Sequence, residues 1–441
     1  MRNLLAVVRG AIVVLAMAPA PAAAVEVTRV VSPGGIEAWL VEEHRVPILS
    51  MDVAFRGGAA LDPDGREGLA DMASALLDEG AGEFDSQAFQ ARLEDLSIRL
   101  HLDTGRDTFS ADLKTLSAYS GEAFDMLRLA LTAPRFDTEP VERIRRQLQV
   151  RLARLAEDPD RIVGRAWFDT AFAGRAYGRP VDGTPESVAA ITADELRAFA
   201  AEQIARDRMV IGVVGDITPA RLAVLLDATF GKLPARRAPL DMTWFEPAAP
   251  GRLIVIERDI PQSIAVFGHA GIARDDPDFY AAYVMNHILG SGSFTSRLGE
   301  EVREKRGLAY GVYSYLAPMD RAALFMGRVA TENAAVAESL DLIRAEFARM
   351  RDHGVTEQEL ADAKTYLTGS FPLRLDSNDR IAGLLVAMQL DDLGIDYIDR
   401  RNGYIEAVTL DDVNRVARAL LKPDDLLIVV VGKPEGLDST N

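Results

Sequence analysis

An internal duplication constrains the fold of this chain more than any other feature of its sequence. Residues 192–215 align without a gap with residues 409–432, and residues 47–64 align in the same way with residues 261–278. Self-similarity at a long, nearly constant spacing indicates repeated structural units rather than unrelated domains. The sequence therefore predicts two copies of one domain of roughly 200 residues each, which is within the usual size range of a single domain.

Each copy mixes helix and strand patterns in the same order. Thr192 and Thr409 are typical helix N-caps with acidic residues in the first turn. Each of these helices is followed by a β-branched run that ends in glycine, while residues 50–55 alternate polar and apolar side chains, which is typical of a half-buried strand. This pattern predicts an α+β fold of two homologous domains, each a mainly antiparallel sheet packed with helices.

The same comparison gives the domain boundaries. A stretch rich in proline, alanine and arginine at residues 232–250 separates the copies and is typical of a linker. We therefore expect an N-terminal domain at 25–231 and a C-terminal domain at 251–441.

The first residues have the pattern of an export signal. Arg2 and Arg9 precede a short apolar run, which ends in small residues at Ala22, Ala23 and Ala24. Such a stretch indicates a cleaved secretory signal and is too short to span a bilayer. We expect residues 1–24 to be removed by cleavage near Ala24, and the protein to be periplasmic with no membrane span.

Composition excludes several kinds of chemistry. The chain has no cysteine, so it has no disulfide and no thiol nucleophile. Its 67 acidic and 49 basic side chains give a net charge of −18, which argues against a nucleic-acid partner. No two of its five histidines lie within one helical turn, so the sequence has no spacing typical of a zinc site.

Two segments carry a family resemblance. The first, residues 65–80, reads as an apolar helix with a glycine at its end. The second runs from a Gly/Ser loop at Leu289 through Ser296-Arg-Leu and Arg303-Glu-Lys-Arg-Gly-Leu-Ala-Tyr310. In this order, within a duplicated exported chain, they resemble the pitrilysin/insulinase family of zinc peptidases in its short two-domain form, to which mitochondrial processing peptidase and bacterial paired-subunit peptidases belong.

The resemblance also implies that the family's zinc motif, His-x-x-Glu-His, is missing. Asp71 and Ala75 stand where the two histidines would be, and Ser74 stands where the glutamate would be. No glutamate lies between Glu142 and Glu157, where the third ligand is expected. The prediction is no metal in this chain and zinc in a partner subunit.

The family's second catalytic element is retained. Arg303 and Tyr310 match the arginine and tyrosine that, in this family, hydrogen-bond the peptide near the scissile bond. The alternative is an Arg303 that pairs with a nearby carboxylate and a Tyr310 in the core. The Gly/Ser loop matches a loop that is suggested to handle substrate in this family. Alternatively, the loop is a simple connection between two helices. The residues of the loop are Gly290, Ser291, Gly292, Ser293 and Phe294.

The resemblance thus implies a non-catalytic, substrate-binding subunit of a heterodimeric zinc peptidase. A homologous zinc-bearing chain would be the partner and a peptide the substrate, and this chain alone would be inactive. Two alternatives stay open at this point: a non-enzymatic structural or peptide-binding protein of the same fold, and a stand-alone peptidase.

Overall fold

The computed structural model describes residues 25–236, 243–291 and 295–440. The predicted signal segment, part of the predicted linker and three residues of the Gly/Ser loop lie outside the described residues. Within the described ranges the chain forms two sheets with helices packed on both, which confirms the predicted α+β fold of two homologous domains.

The first sheet has six strands: Thr28–Val31 (β1), Glu37–Glu42 (β2), Ile48–Arg56 (β3), Arg99–Thr104 (β4), Thr108–Leu116 (β5) and Met209–Gly215 (β6). Their order is β1-β2-β6-β3-β5-β4. Only β2 and β6 pair in parallel, and the other pairs are antiparallel.

The second sheet repeats this pattern with five strands: Leu253–Glu257 (β7), Gln262–Ala270 (β8), Ala309–Met319 (β9), Ala322–Glu332 (β10) and Leu427–Gly432 (β11). Their order is β7-β11-β8-β10-β9, with β7 and β11 in parallel. The strand β9 is therefore an edge strand with one neighbour, β10.

The helices cover both faces of the sheets. They are Leu69–Ser74 (α1), Ser86–Asp95 (α2), Ser120–Thr132 (α3), Thr138–Leu155 (α4), Pro159–Ala171 (α5), Pro185–Ala190 (α6), Ala193–Gln203 (α7), Pro219–Phe230 (α8), Phe279–Gly290 (α9), Val336–His353 (α10), Glu357–Gly369 (α11), Asn378–Leu390 (α12), Tyr397–Ala407 (α13) and Leu410–Leu420 (α14). Among the described residues, no helix is both long and apolar enough to cross a bilayer.

The two halves exchange a helix. The helix α5 of the first half packs on β8 and β11 of the second sheet, and α12 of the second half packs on β3 and β6 of the first sheet. Trp167 of α5 is fully buried there, and its indole N–H donates to the carbonyl of Leu427 at 3.0 Å. On α12, the counterpart of α5, the Gln389 side chain donates to the carbonyl of Ile211 in β6 at 2.9 Å.

Small residues in the sheets allow this close approach. A Cβ on Gly212 of β6 would lie 2.4 Å from the carbonyl oxygen of Ala382 in α12. A Cβ on Gly268 of β8 would lie 3.0 Å from the indole of Trp167. Real side-chain atoms do not come this close to backbone, so any larger residue at Gly212 would push α12 off the sheet.

An ion pair joins each exchanged helix to its sheet. Lys114 of β5 lies 2.7 Å from the carboxylate of Asp379 in the first turn of α12. Arg328 of β10 donates through Nε to Asp160 in the first turn of α5, also at 2.7 Å. The acidic residue lies in each case near the positive end of the helix dipole, which stabilises it there. The duplication predicted from the sequence is thus repeated in the contacts between the halves.

Candidate functional site

The segment that resembles the zinc helix is shorter than predicted. We expected a helix across residues 65–80, but α1 covers Leu69–Ser74 alone. Gly68 has a left-handed backbone at φ 87°, and the buried carboxylate of Asp62 accepts the N–H groups of Gly68 and Ala70 at 2.9 and 3.0 Å. These bonds fix the start of α1. After Ser74 the backbone continues as turns, with the N–H of Leu76 bonded to the carbonyl of Ala73.

An ion pair occupies the position of the lost zinc motif. Asp71 is buried on α1, and its carboxylate accepts a hydrogen bond from the guanidinium of Arg151 on α4. A second carboxylate, Asp182, lies 3.4 Å from the same guanidinium. Burial raises the pKa of Asp71 to about 6, and Arg151 opposes that rise.

The other two motif positions contribute no ligand chemistry. Ser74 is buried, and its hydroxyl donates to the carbonyl of Asp71 at 2.8 Å. Ala75 has no donor atom in its side chain. Zinc in proteins is held by nitrogen, sulfur or carboxylate oxygen, and catalytic zinc needs three such ligands. The residues at this position do not fit a zinc ion, and nowhere in the described ranges do three His, Asp or Glu side chains come together as a metal site.

The ion pair gives a prediction with a defined pH dependence. Replacing Arg151 by methionine leaves Asp71 buried without its cation, which raises the pKa of Asp71 further above its value in the unfolded chain. We expect a loss of about 1–2 kcal/mol at pH 8, a modest figure because the Arg151 side chain is partly exposed. At pH 5 the loss should shrink, because Asp71 is then protonated in the folded variant.

Urea unfolding at the two pH values measures this effect. Arg154→Met on the same helix is the matched control, because Arg154 is exposed. An equal loss at both pH values would show that the charge of Asp71 is not the cause.

Arg303 lies on an unusual helical turn. Residues Gly299–Glu304 form a π-helical turn, in which the N–H of Lys305 donates to the carbonyl of Glu300 at 2.9 Å. Gly307 ends the turn with φ 65°. Single π-turns often occur at functional sites because the extra residue redirects side chains.

Tyr310 lies at a β-bulge at the start of the edge strand β9. Ala309 pairs with Thr331 and Gly311 pairs with Ala330, so Tyr310 is the extra residue between them. Its side chain is 86% exposed, which excludes a core position. Bulges aim a side chain away from the sheet and are frequent beside active sites.

The structure brings the two predicted catalytic residues together. The guanidinium carbon of Arg303 lies 5.0 Å from the centre of the Tyr310 ring, within the range of a cation–π contact. Glu304 lies 3.5 Å from the Nε of Arg303. Both side chains reach solvent, so the pair can present guanidinium and phenol donors to a ligand.

The Gly/Ser loop is described in part. Gly290 is buried at the end of α9, and a Cβ there would lie 2.6 Å from the hydroxyl of Ser314 on β9. Close packing therefore requires this glycine. Ser291 is hydrogen-bonded to the ring of His287 at 2.6 Å, and that ring stacks on Tyr366 at 4.9 Å. Gly292, Ser293 and Phe294 lie outside the described residues.

Two features of the site were not predicted from the sequence. The partnership of Asp71 with Arg151 joins residues on different helices, although an arginine where the third ligand is expected was a signal for it. The bulge at Tyr310 depends on the pairing of β9 with β10, and no local pattern indicates it.

Two family models match most of the chain. A model described as insulinase, peptidase family M16, matches residues 39–185. A second, described as the peptidase M16 inactive domain, matches residues 190–367. The chain belongs to peptidase family M16. The first matched region lies within the first half of the duplication, and the second runs from the last part of the first half into the second half.

Several M16 relatives match over most of their length. A protein of Helicobacter pylori named non-peptidase homolog YmxG is 27% identical over 391 residues, which cover 88% of this chain and 90% of that protein. An uncharacterized zinc protease of Streptomyces coelicolor is 28% identical over 408 residues, which cover 90% and 87%.

Two solved structures share the fold. The peptidase M16 inactive domain from Pseudomonas fluorescens superposes with a TM-score of 0.87 at 29% identity and covers 94% of this chain and all of that one. A protease from Helicobacter pylori has a TM-score of 0.82 at 18% identity, covering 92% and 99%, and this likeness shows the fold alone.

Proposed function

We propose that this chain is the non-catalytic, substrate-binding subunit of a heterodimeric M16 peptidase. A homologous partner would hold the zinc, and this chain would contribute Arg303 and Tyr310 to the shared site. One contrast carries the proposal: an ion pair between Asp71 and Arg151 occupies the metal position, whereas Arg303 and Tyr310 lie side by side, with Tyr310 exposed and Arg303 partly exposed. If the chain had no role in peptide cleavage, nothing in the fold would require Arg303 and Tyr310 to lie together at the surface.

The chemistry of the pair supports this role. A guanidinium offers fixed donors to a peptide carbonyl. A phenol can donate to an oxyanion that develops on the cleaved amide, and such stabilisation is often a large part of catalysis. Lys305 and Arg306 lie 2.7 and 2.6 Å from Glu301. Arg303 lies 3.5 Å from Glu304 and also packs over the Tyr310 ring, so it is the cation of this turn that lies next to the exposed phenol.

The proposal includes the compartment. We propose that residues 1–24 direct export, with cleavage near Ala24, and that the complex works in the periplasm. Support comes from the charge and apolar pattern of the segment.

Co-expression with a zinc-bearing M16 chain from the same organism tests the proposal. We expect the two chains to co-purify, the isolated chain to bind no stoichiometric zinc, and the complex to contain zinc and to cleave peptides. Metal analysis and a cleavage assay on each chain and on the complex measure these outcomes. Stoichiometric zinc in the isolated chain, or full activity of the partner alone, would contradict the proposal.

A second candidate is a non-enzymatic binding protein of the same fold. The observation in its favour is the name of the Helicobacter pylori relative, non-peptidase homolog. This candidate predicts a chain that binds peptides with no zinc-bearing partner and no cleavage, so the same co-purification experiment separates the two.

A further inference from the structure

A cavity of about 490 Å³ in the second half has an unusual lining for so acidic a protein. It lies among α9, α12, α13 and the short segment Phe371–Arg374. Aromatic rings and arginine side chains form most of its wall, and no carboxylate is among the lining residues. Its volume is within the range of small-ligand sites in proteins.

One of the arginines is buried without an anionic partner. Arg401 of α13 is only 5% exposed, and its guanidinium lies 4.3 Å from the centre of the Phe371 ring. It donates to the carbonyl of Leu367 and to the side chain of Asn402, both at 3.1 Å. Within the described part of the chain, no carboxylate lies within 4.0 Å of it. A buried cation normally has a counter-charge, because its desolvation is otherwise uncompensated.

Two further arginines add to this positive charge. Arg274 packs over the Phe279 ring at 4.2 Å and donates to the hydroxyl of Tyr280 at 3.2 Å. Its nearest carboxylate, Asp391, lies 3.5 Å away. Arg374 is exposed at the cavity and has no ion pair within the described ranges. A fourth arginine of the wall, Arg380, is paired with Asp376 at 2.7 Å.

Shared lining residues connect this cavity to the edge strand β9, which carries Tyr310. Phe279 and Tyr283 of α9 form its wall and also line a second cavity of about 350 Å³ beside the edge strand β9. Tyr313 and Tyr315 of β9 line that second cavity. The distance along β9 from Tyr310 to Tyr315 is roughly 16 Å at the usual rise per residue. A peptide of about five residues that lies along β9 from Tyr310 therefore reaches the second cavity, which shares Phe279 and Tyr283 with the arginine cavity.

We propose that this cavity binds a peptide carboxylate attached to an apolar or aromatic side chain. The inference rests on the proposed role in peptide binding and names the group that is recognised. Arg274, Arg374 and Arg401 supply the donors, since guanidinium groups bind carboxylates through paired hydrogen bonds. The rings of Phe279, Phe371 and other wall residues supply contact for the apolar part. The carboxylate is either the C-terminus of the peptide or an acidic side chain.

Calorimetric titration of the isolated full-length chain tests this proposal and distinguishes the two sources. The probes are an alanine hexapeptide ending in phenylalanine with a free C-terminus, its C-terminal amide, and an amide that carries an internal glutamate. We expect the plain amide to bind at least about tenfold more weakly than one of the two carboxylate peptides. Preference for the free C-terminus assigns the terminal carboxylate, and preference for the glutamate peptide assigns an acidic side chain.

Two charge reversals locate the site. Arg374→Glu is expected to weaken binding of the preferred carboxylate peptide by about tenfold or more, because it places like charge at the cavity. Arg418→Glu on α14 is the matched control, since Arg418 is exposed and does not line the cavity. Circular dichroism checks that both variants fold.

The outcomes separate this inference from the proposed function. Absence of binding by the wild-type chain, equal binding of all three peptides, or equal effects of the two reversals would overturn the carboxylate site. None of these results depends on a zinc-bearing partner. Conversely, the carboxylate site would still be supported if no active complex is found, provided that the wild-type chain prefers a carboxylate peptide and Arg374→Glu abolishes this preference.

Discussion

In the proposed complex with a zinc-bearing partner, replacing Arg303 by alanine should lower kcat by about 10²- to 10³-fold, the usual loss when one donor to a developing oxyanion is removed. Tyr310→Phe should have an effect of the same order if the phenol donates in the transition state. Both side chains are at least partly exposed and contribute little to the core, so the stability of the chain should hardly change. Steady-state cleavage of a fluorogenic peptide by the purified complex measures both variants.

Arg306→Ala is the matched control for these substitutions. Arg306 lies three residues further along the chain, where its guanidinium donates to Glu301 at 2.6 Å. We expect its kcat to stay close to that of the wild type. A complex that keeps full activity with both Arg303→Ala and Tyr310→Phe would remove the main support for a shared active site.

Replacing Trp167 by alanine should cause a large loss of stability. The indole is fully buried on the second sheet, and its N–H is bonded to Leu427. Truncation of a buried aromatic side chain typically costs about 3–5 kcal/mol through lost contacts and a residual cavity. Because α5 belongs to the first half and covers the second sheet, we expect both halves to lose stability together. Urea unfolding followed by circular dichroism measures the change.

Two further variants define the cause. Trp244→Ala removes a partly exposed tryptophan and should have a small effect. Trp167→Phe keeps an aromatic ring but loses the donor to Leu427, so its effect should be intermediate. Two well-separated unfolding transitions in Trp167→Ala would show that the halves are not coupled through the exchanged helix.

The sequence predicted the repeated domain because each copy carries the same local signals. Thr192 and Thr409 cap their helices as expected: each hydroxyl accepts the backbone N–H of the acidic residue three positions on, and the N–H of each threonine donates to the carboxylate of that residue. The strand at Val213 is buried, as its β-branched run indicates. The strand at Ser50 forms as predicted, but it is buried on both faces rather than half-buried, because α12 covers the face that carries Ser50 and Ala54. These features depend on neighbouring residues, so a single sequence contains the information.

The contacts between distant segments could not be predicted in the same way. The apolar face of α5 indicates that the helix is covered, but not which sheet covers it. The pairing of Asp71 with Arg151 likewise depends on how α1 meets α4, and the exposure of Tyr310 depends on a register shift between β9 and β10. Family resemblance indicated the importance of Arg303 and Tyr310, whereas the fold supplied their geometry.

The exchange of α5 and α12 has a consequence for the order of biosynthesis. One face of the first sheet, with Trp39 and Val214, packs against Leu385 of α12. The ribosome completes every strand of that sheet long before it reaches this helix. Until then the nascent first half has an uncovered apolar surface of the kind that recruits chaperones or aggregates. We therefore expect the first half to complete its folding only after the whole chain has been synthesised. Neither half should be stable when it is expressed alone.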